Sequence, residues 1–407
     1  MNYLLNEGYE SNIKVSKALK SKIYINKKPY EDLSYGAGTL LLGHNSKIYK
    51  KILNNLKKDE ISNYATPNIY AERLSKTLYN YFDAYFKKFL FCSTGSEAVL
   101  KSLRIAKAIS KKDLIVSVSG SWHGSLDQFL FYPTKTLKIE SMSSGISKFY
   151  SNNLKIIPYN DIYNSNKILQ KSKSKIAAVI IEPIQACLPS EESKKYLFFL
   201  QKFCDENKII LIFDETITGI RTYEGSVHRK FKLSPSISIF GKCIGGGAPI
   251  SVLGISKGLS QKINKLKKKI YFGGTFSGNS TSAFICYETI KYIKNNKRII
   301  KELNFKTNYI KNEINKFLEK KKLKAKIYSF ESMLRIVFSN KKITNRLQRD
   351  FLEKKQNLNI TKFKKFLFKS KIYYPSNGVL FISNETTQKN CKFLISKISK
   401  GLNSFFK

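Results

Sequence analysis

An apolar run that closes on two acids, Ile209-Ile210-Leu211-Ile212-Phe213-Asp214-Glu215, constrains this chain more than any other segment. Five consecutive apolar residues read as a strand covered on both faces, which is the condition of strands in parallel sheets and not of half-solvated antiparallel ones. The run therefore needs partners whose connections lay helices over each face. Asp214 then stands at the carboxyl edge of the sheet, where open α/β folds bind ligands.

The flanking sequence supplies those partners. From about Lys87 to Ser256, short β-rich apolar runs alternate with amphipathic stretches, the pattern of a mainly parallel sheet with crossover helices. Lys88 to Cys92, Asp113 to Val118, Ile176 to Ile181, Ile209 to Phe213, Ile237 to Phe240 and Ile250 to Ile255 read as strands, and Glu97 to Ile109 and Tyr196 to Glu206 as helices. The expectation is a three-layer α/β core, a large domain over 41–290. Ahead of it, 1–40 forms a leading arm with a small hairpin turning around Asn26-Lys27-Lys28-Pro29. After it, 291–407 is lysine-laced and helical, broken by strand-like runs at Ala325 to Tyr328, Met333 to Phe338 and Val379 to Ile382, and reads as a smaller α+β domain.

Composition narrows the class. The 407 residues, 42% hydrophobic, are an ordinary mixture for an enzyme-sized globular protein, about two to three domains' worth of core by length. Met1 to Ser11 has neither a basic start nor an apolar stretch, and no segment approaches membrane-spanning length, so the expectation is a soluble, cytoplasmic protein without membrane contact. Six scattered cysteines form no C-x-x-C pair and imply neither a metal site nor a disulfide framework. The net charge of +44 is the anomaly. Lysine is spread over almost every segment, whereas arginine, the residue suited to forked phosphate contacts, is sparse and first occurs at Arg73. A solvated lysine surface is expected in place of a dedicated nucleic-acid face.

Several segments can carry chemistry, each with an ordinary structural reading beside it. Cys92-Ser93-Thr94-Gly95-Ser96-Glu97-Ala98 joins a strand to a helix, so free first-turn amides with the Thr94 and Ser96 hydroxyls can hold a phosphate; Thr94 with Glu97 equally fits a capping box. Asp214 can face a pyridine nitrogen and keep it protonated, or cap the next turn. Lys242 follows the strand to Phe240 by way of Gly241 and precedes Gly245-Gly246-Gly247. A lysine with its stem in a tight, desolvated pocket loses proton affinity and can form an imine with an aldehyde. Gly120-Ser121-Trp122-His123-Gly124 holds the chain's one tryptophan, which can stack on a cofactor ring with His123 tuning the pocket, or can be a loop aromatic. Gly273-Gly274-Thr275-Phe276-Ser277-Gly278-Asn279 offers a second phosphate ligand set or a flexible turn. Together, an acid at one strand end and a lysine at a later one meet the needs of a pyridine-aldehyde cofactor, pyridoxal 5'-phosphate (PLP).

In this order and at these separations, Ser93 to Ala98, Trp122-His123-Gly124, Glu182-Pro183-Ile184, Asp214 to Arg221, Gly241 to Gly247 and Gly274 to Asn279 resemble the class III aminotransferases of the fold type I PLP enzymes. Within that family the pattern is most similar to the glutamate-1-semialdehyde 2,1-aminomutases. The resemblance runs from Gly36 to about Ser383. It implies that Lys242 forms the Schiff base and shuttles the proton, that Asp214 pairs with the pyridine nitrogen, and that Thr94, Gly95 and Ser96 bind the phosphate. It further implies that Thr275 reaches the phosphate of a neighbouring subunit in a homodimer, that Trp122 stacks on the ring near His123, and that Thr216 packs on the opposite ring face. The expected activity is transfer of an amino group from a small-molecule donor to an aldehyde or ketone, with the aminomutase reaction as the alternative and a noncatalytic lysine-rich binding protein as a third reading. Cys187 stands where an asparagine is expected, the leading arm has no arginine for a substrate carboxylate, and a glutamate expected near Pro375 to Leu380 is missing. These departures concern the substrate end of the site.

Overall fold

The computed structural model describes residues 13–134 and 139–406, and the reading of Met1 to Ser11 lies outside them. The described chain divides into two compact units, one of 52–298 with 343–348, the other of 13–51, 299–342 and 349–406. Short strands linked by helices, apolar on both faces, build the larger unit around a seven-stranded sheet. Its strands run in the spatial order Phe86–Cys92, Ser251–Ser256, Ile237–Phe240, Ile210–Glu215, Ile176–Ile181, Leu114–Val118 and Leu154–Ile157. All are parallel except Ser251–Ser256, which pairs antiparallel with both neighbours.

Period-two alternation decides which residues each layer receives. On the strand Ile210–Glu215, Ile210 and Ile212 face a core shared with Ile180, Ile239 and Leu253 and with Ala98, Leu103, Ile105 and Ala106 of the helix Gly95–Ser110. The helix Lys194–Glu206 also packs on this strand and buries Tyr196, Leu197, Leu200 and Phe203. Each large apolar side chain buried this way is worth about 1.5–3 kcal/mol relative to exposure. The strand does not stop at Phe213, as the sequence pattern predicts, but runs on through Asp214 and Glu215. Backbone pairing of Asp214 with Ile239 and of Glu215 with Phe240 continues the ladder to the edge of the sheet, so both acids sit in rigid backbone.

The other unit holds a four-stranded sheet, Val15–Leu19, Lys22–Ile25, Lys28–Asp32 and Ile372–Tyr373, and a three-stranded antiparallel sheet, Lys326–Phe330, Met333–Val337 and Val379–Phe381. The expected hairpin is present with a tighter turn. Only Asn26 and Lys27 make it, at φ +48° and +62°, the left-handed pair of a two-residue hairpin turn, and Lys28 and Pro29 already pair with Ile25 and Tyr24. The sequence pattern missed the strand Val15–Leu19, an edge strand that buries no side chain and so shows no apolar alternation. No described helix is long and apolar enough to cross a membrane, and none of the six cysteines is disulfide-bonded.

Gly254 sits mid-strand beneath a ring: a Cβ there would lie 2.6 Å from the Phe86 side chain. Phe86 is fully buried, so Gly254→Ala is expected to destabilise the fold by about 1–3 kcal/mol through overpacking. Urea denaturation followed by circular dichroism measures this directly.

Candidate active site

Four neighbouring parallel strands end at one edge of the sheet, and each delivers part of the site. Trp122 and His123 follow Leu114–Val118, Glu182 follows Ile176–Ile181, Asp214 lies within Ile210–Glu215, and Lys242 follows Ile237–Phe240 by two residues. Parallel strands lie about 4.8 Å apart, so residues remote in sequence become neighbours here.

The two acids of the founding motif have opposite duties because successive side chains point to opposite faces. Glu215 is fully buried and committed to structure: one oxygen accepts from the Val227 amide at 2.6 Å and the Thr218 hydroxyl at 3.2 Å, and the other lies 3.1 Å from His228 Nδ1. Asp214 is also buried. Its Oδ2 lies 2.8 Å from His123 Nδ1 and its Oδ1 accepts from the Thr216 amide at 3.1 Å. These bonds fix the carboxylate's orientation and leave acceptor capacity for one further donor.

Lys242 opens a short 3-10 turn with φ +49°, in the left-handed region. The residue keeps some exposure, but its amine is surrounded by protein. Burial pulls its pKa below the ordinary lysine value and the charge of Arg221 pulls the same way, while Glu182 and Asp214 oppose them. A lysine with lowered proton affinity is the species that supplies a free amine to an aldehyde. Three glycines follow, Gly246 and Gly247 with positive φ; a Cβ on Gly246 would lie 2.4 Å from the Thr289 hydroxyl.

Thr94 caps the helix Gly95–Ser110, accepting from the Glu97 amide at 3.2 Å, and its carbonyl accepts from Ala98. The amides of Gly95 and Ser96 come before any helical acceptor and are the free donors of an anion cup. The capping box is incomplete, because Glu97 reaches back past Thr94 to the Ser93 amide at 2.7 Å. Ser96 Oγ accepts from the Ser125 amide at 3.1 Å, which ties the cup to the loop after Trp122 and His123. Thr216 lies between cup and lysine, its methyl 3.3 Å from a Cβ built on Gly95 and 3.0 Å from one on Gly241. His123 is buried, while Trp122 is 50% exposed and its amide donates to Glu182 Oε2 at 2.9 Å. Thr275 is exposed, in a loop whose Tyr271 and Phe276 are 81% and 61% exposed.

The sequence gives Glu182 no role beyond its place in the motif Glu182-Pro183-Ile184. Burial pushes its carboxyl up to about 8, and the charge of Asp214 adds to this; the Trp122 amide, Lys242 and Arg346 work against them. Only the fold shows that Arg346 approaches this edge, its Cβ 3.0 Å from a Cβ built on Gly120. Cys187 Sγ donates to the Gly120 carbonyl at 3.5 Å.

Residues 6–366 match the family model for class III aminotransferases. The chain belongs to that family. It is 30% identical over 395 residues to the glutamate-1-semialdehyde 2,1-aminomutase of Archaeoglobus fulgidus, covering 94% of this chain and 90% of that protein. It is 30% identical to the aminomutase of Wigglesworthia glossinidia brevipalpis, covering 94% and 87%. Among solved structures, an omega-transaminase from Sphaerobacter thermophilus superposes with a TM-score of 0.87 at 17% identity, covering 97% of this chain and 92% of that one. A glutamate-1-semialdehyde aminomutase from Pseudomonas aeruginosa gives 0.85 at 17% identity, covering 97% and 88%. The fold is that of the fold type I PLP transferases, and the chain is a PLP-dependent enzyme.

The residues present fit this cofactor. They offer an amine of lowered proton affinity, an oriented acid, an anion cup, and two buried polar atoms that lack partners, Thr216 Oγ1 and His123 Nε2. Glu182 provides a pH signature of the same pocket. In the folded chain it holds its proton up to about pH 8, whereas an unfolded carboxyl loses it near the ordinary value of 4.5. The folded state therefore binds more protons in this window and stability declines as pH rises through it. Glu182→Gln removes the contribution: in cofactor-free protein its thermal midpoint is expected to fall less from about pH 5 to about pH 8 than that of the wild type, as read by circular dichroism.

Proposed function

We propose that this enzyme moves an amino group from a small-molecule amino donor to an aldehyde or ketone, with Lys242 as the covalent anchor and proton carrier and Asp214 as the ring-nitrogen partner. The observation that carries the reading is the arrival of both residues at the same sheet edge from adjacent, register-paired strands. Bound PLP supplies the carbonyl that takes up the amino group and the electron-withdrawing ring that makes the neighbouring C–H acidic.

The chain's own residues do the rest. Lys242 Nζ, depressed in proton affinity by burial, can accept a proton from a substrate carbon and return it at a second position, as general acid–base catalysis near neutral pH requires. Asp214, braced by His123 and the Thr216 amide, holds a proton on the ring nitrogen. The Gly95 and Ser96 amides, with the Thr94 and Ser96 hydroxyls, take the phosphate. Trp122 covers one ring face and Thr216 packs on the other. Thr275 serves the phosphate held by a second subunit, which makes the working form a homodimer with the site at the interface; its exposed loop supports this.

A more specific reading has its own support. Two relatives aligned over 94% of the chain bear the aminomutase name, so intramolecular exchange on glutamate-1-semialdehyde, giving 5-aminolevulinate, stands as the alternative substrate assignment. Formation of 5-aminolevulinate from the semialdehyde without an external donor selects it. Turnover only with an external donor and a separate carbonyl acceptor selects the intermolecular reaction.

Borohydride reduction followed by digestion is expected to leave the cofactor label on Lys242. Lys242→Ala is expected to slow turnover by about 10²-fold to 10⁴-fold, the range for loss of a positioned proton-transfer group. Label on another side chain, or undiminished turnover by the variant, removes the assignment.

A further inference from the structure

One buried cation has no part in the roles assigned so far. Lys101, in the second turn of the helix Gly95–Ser110, is 2% exposed, a burial that lysine tolerates only when paired. Its Nζ lies 2.6 Å from Glu97 Oε1 and donates to Ser277 Oγ at 2.9 Å, and Ser277 Oγ in turn donates to Glu97 Oε1 at 3.0 Å. The second oxygen of Glu97 accepts from the Ser93 amide. Burial works to raise the Glu97 pKa, yet the bonds from Lys101, Ser93 and Ser277 outweigh it and hold the carboxyl below its ordinary value. The same ammonium faces the Cys92 thiol, which burial pushes up to about 12 against the pull of the lysine.

This closed ring spans two segments. Ser93 leads directly into the anion cup, and Ser277 belongs to the 273–279 loop that carries Thr275. The approach is close: a Cβ on Gly274 would lie 2.6 Å from Ser277 Oγ and 3.1 Å from Glu97 Oε1. Ser93 Oγ adds a bond to the Phe276 carbonyl at 3.4 Å. Without the ammonium, Glu97 has lost its strongest partner, and taking up a proton or turning toward water weakens its hold on the Ser93 amide and on Ser277.

We propose that Lys101 is a positioning residue which, acting through Glu97, holds both the cup that takes this chain's phosphate and the 273–279 loop that carries Thr275 to the partner's, and so sets the enzyme's preference for the phosphorylated cofactor over the same aldehyde lacking phosphate. The inference rests on the assignment of the Gly95 and Ser96 amides to the phosphate. The neutral isostere removes the clamp and keeps the volume.

The test titrates cofactor-depleted full-length wild type, Lys101→Met, Lys101→Arg and Ser277→Ala with PLP and with pyridoxal, following the visible absorbance of the lysine adduct. Lys101→Met is expected to weaken PLP about tenfold or more while leaving pyridoxal within about twofold, and Lys101→Arg, which keeps a cation beside Glu97, to recover most of the loss. Equal weakening of both aldehydes marks general damage and overturns the proposal, as does PLP binding unchanged from wild type. Should Lys101→Met fail to fold, Ser277→Ala decides: a loss of about threefold or more confined to PLP supports the clamp, and none overturns it. A wild type that takes up neither aldehyde at Lys242 overturns the parent assignment and this one with it, so the two failures are distinguishable.

Discussion

The parallel ladder between Ile210–Glu215 and Ile237–Phe240 is the constraint on which the rest depends. Its register pairs Asp214 with Ile239 and Glu215 with Phe240, which places Lys242 just beyond the strand that neighbours Asp214. A one-residue slip would turn Asp214 to the opposite face, exchange it with Glu215, and force Leu211 and Phe213 into the places that Ile210 and Ile212 now fill against Ala98 and Leu103. The core that makes slippage costly thus also aims the acid. Stability and chemistry draw on the same alternation.

A second physical theme is charge in a place that disfavours it. Asp214, Glu182, Lys242 and Arg221 share one low-dielectric edge, and their interactions with water are replaced by interactions with each other. Burial lowers the proton affinity of the lysine and raises that of Glu182, so a buried pair can be stored nearly neutral. The +44 net charge does not enter this balance directly. Many of those lysines lie on solvated helix faces such as Arg298–Lys320, whose buried residues are Ile299, Ile300, Leu303, Thr307, Ile310, Ile314 and Leu318. Lys101 and Lys242 differ because tertiary structure encloses them.

Much of the architecture was legible because period and composition are local. Ile176–Ile181 and Ile237–Phe240 have the predicted limits, the strand Phe86–Cys92 starts two residues before its predicted limit and ends on it, and the helix Gly95–Ser110 starts two residues before and ends one residue after its predicted limits. The misses have local causes as well. Val15–Leu19 is an edge strand with no buried side chain and so no apolar alternation, and the run through Asp214 and Glu215 reads as ended by charge where the ladder carries on. Glu182 and Lys101 carried little signal. One follows an apolar strand as many acids do, and the other is one lysine among dozens, marked only by a glutamate four residues earlier on the helix face.

The sequence by itself determined that an acid and a lysine would stand at the ends of buried parallel strands, since apolar runs, glycines and caps act through neighbouring residues. Only the tertiary structure decided which groups meet there: that His123 orients Asp214, that Glu182 is held near neutrality, and that Lys101 joins the cup to the 273–279 loop. These are contacts between residues 91 and 176 positions apart and a shift caused by burial. Desolvation and hydrogen-bond geometry are properties of a packed three-dimensional neighbourhood, and a linear pattern does not contain them.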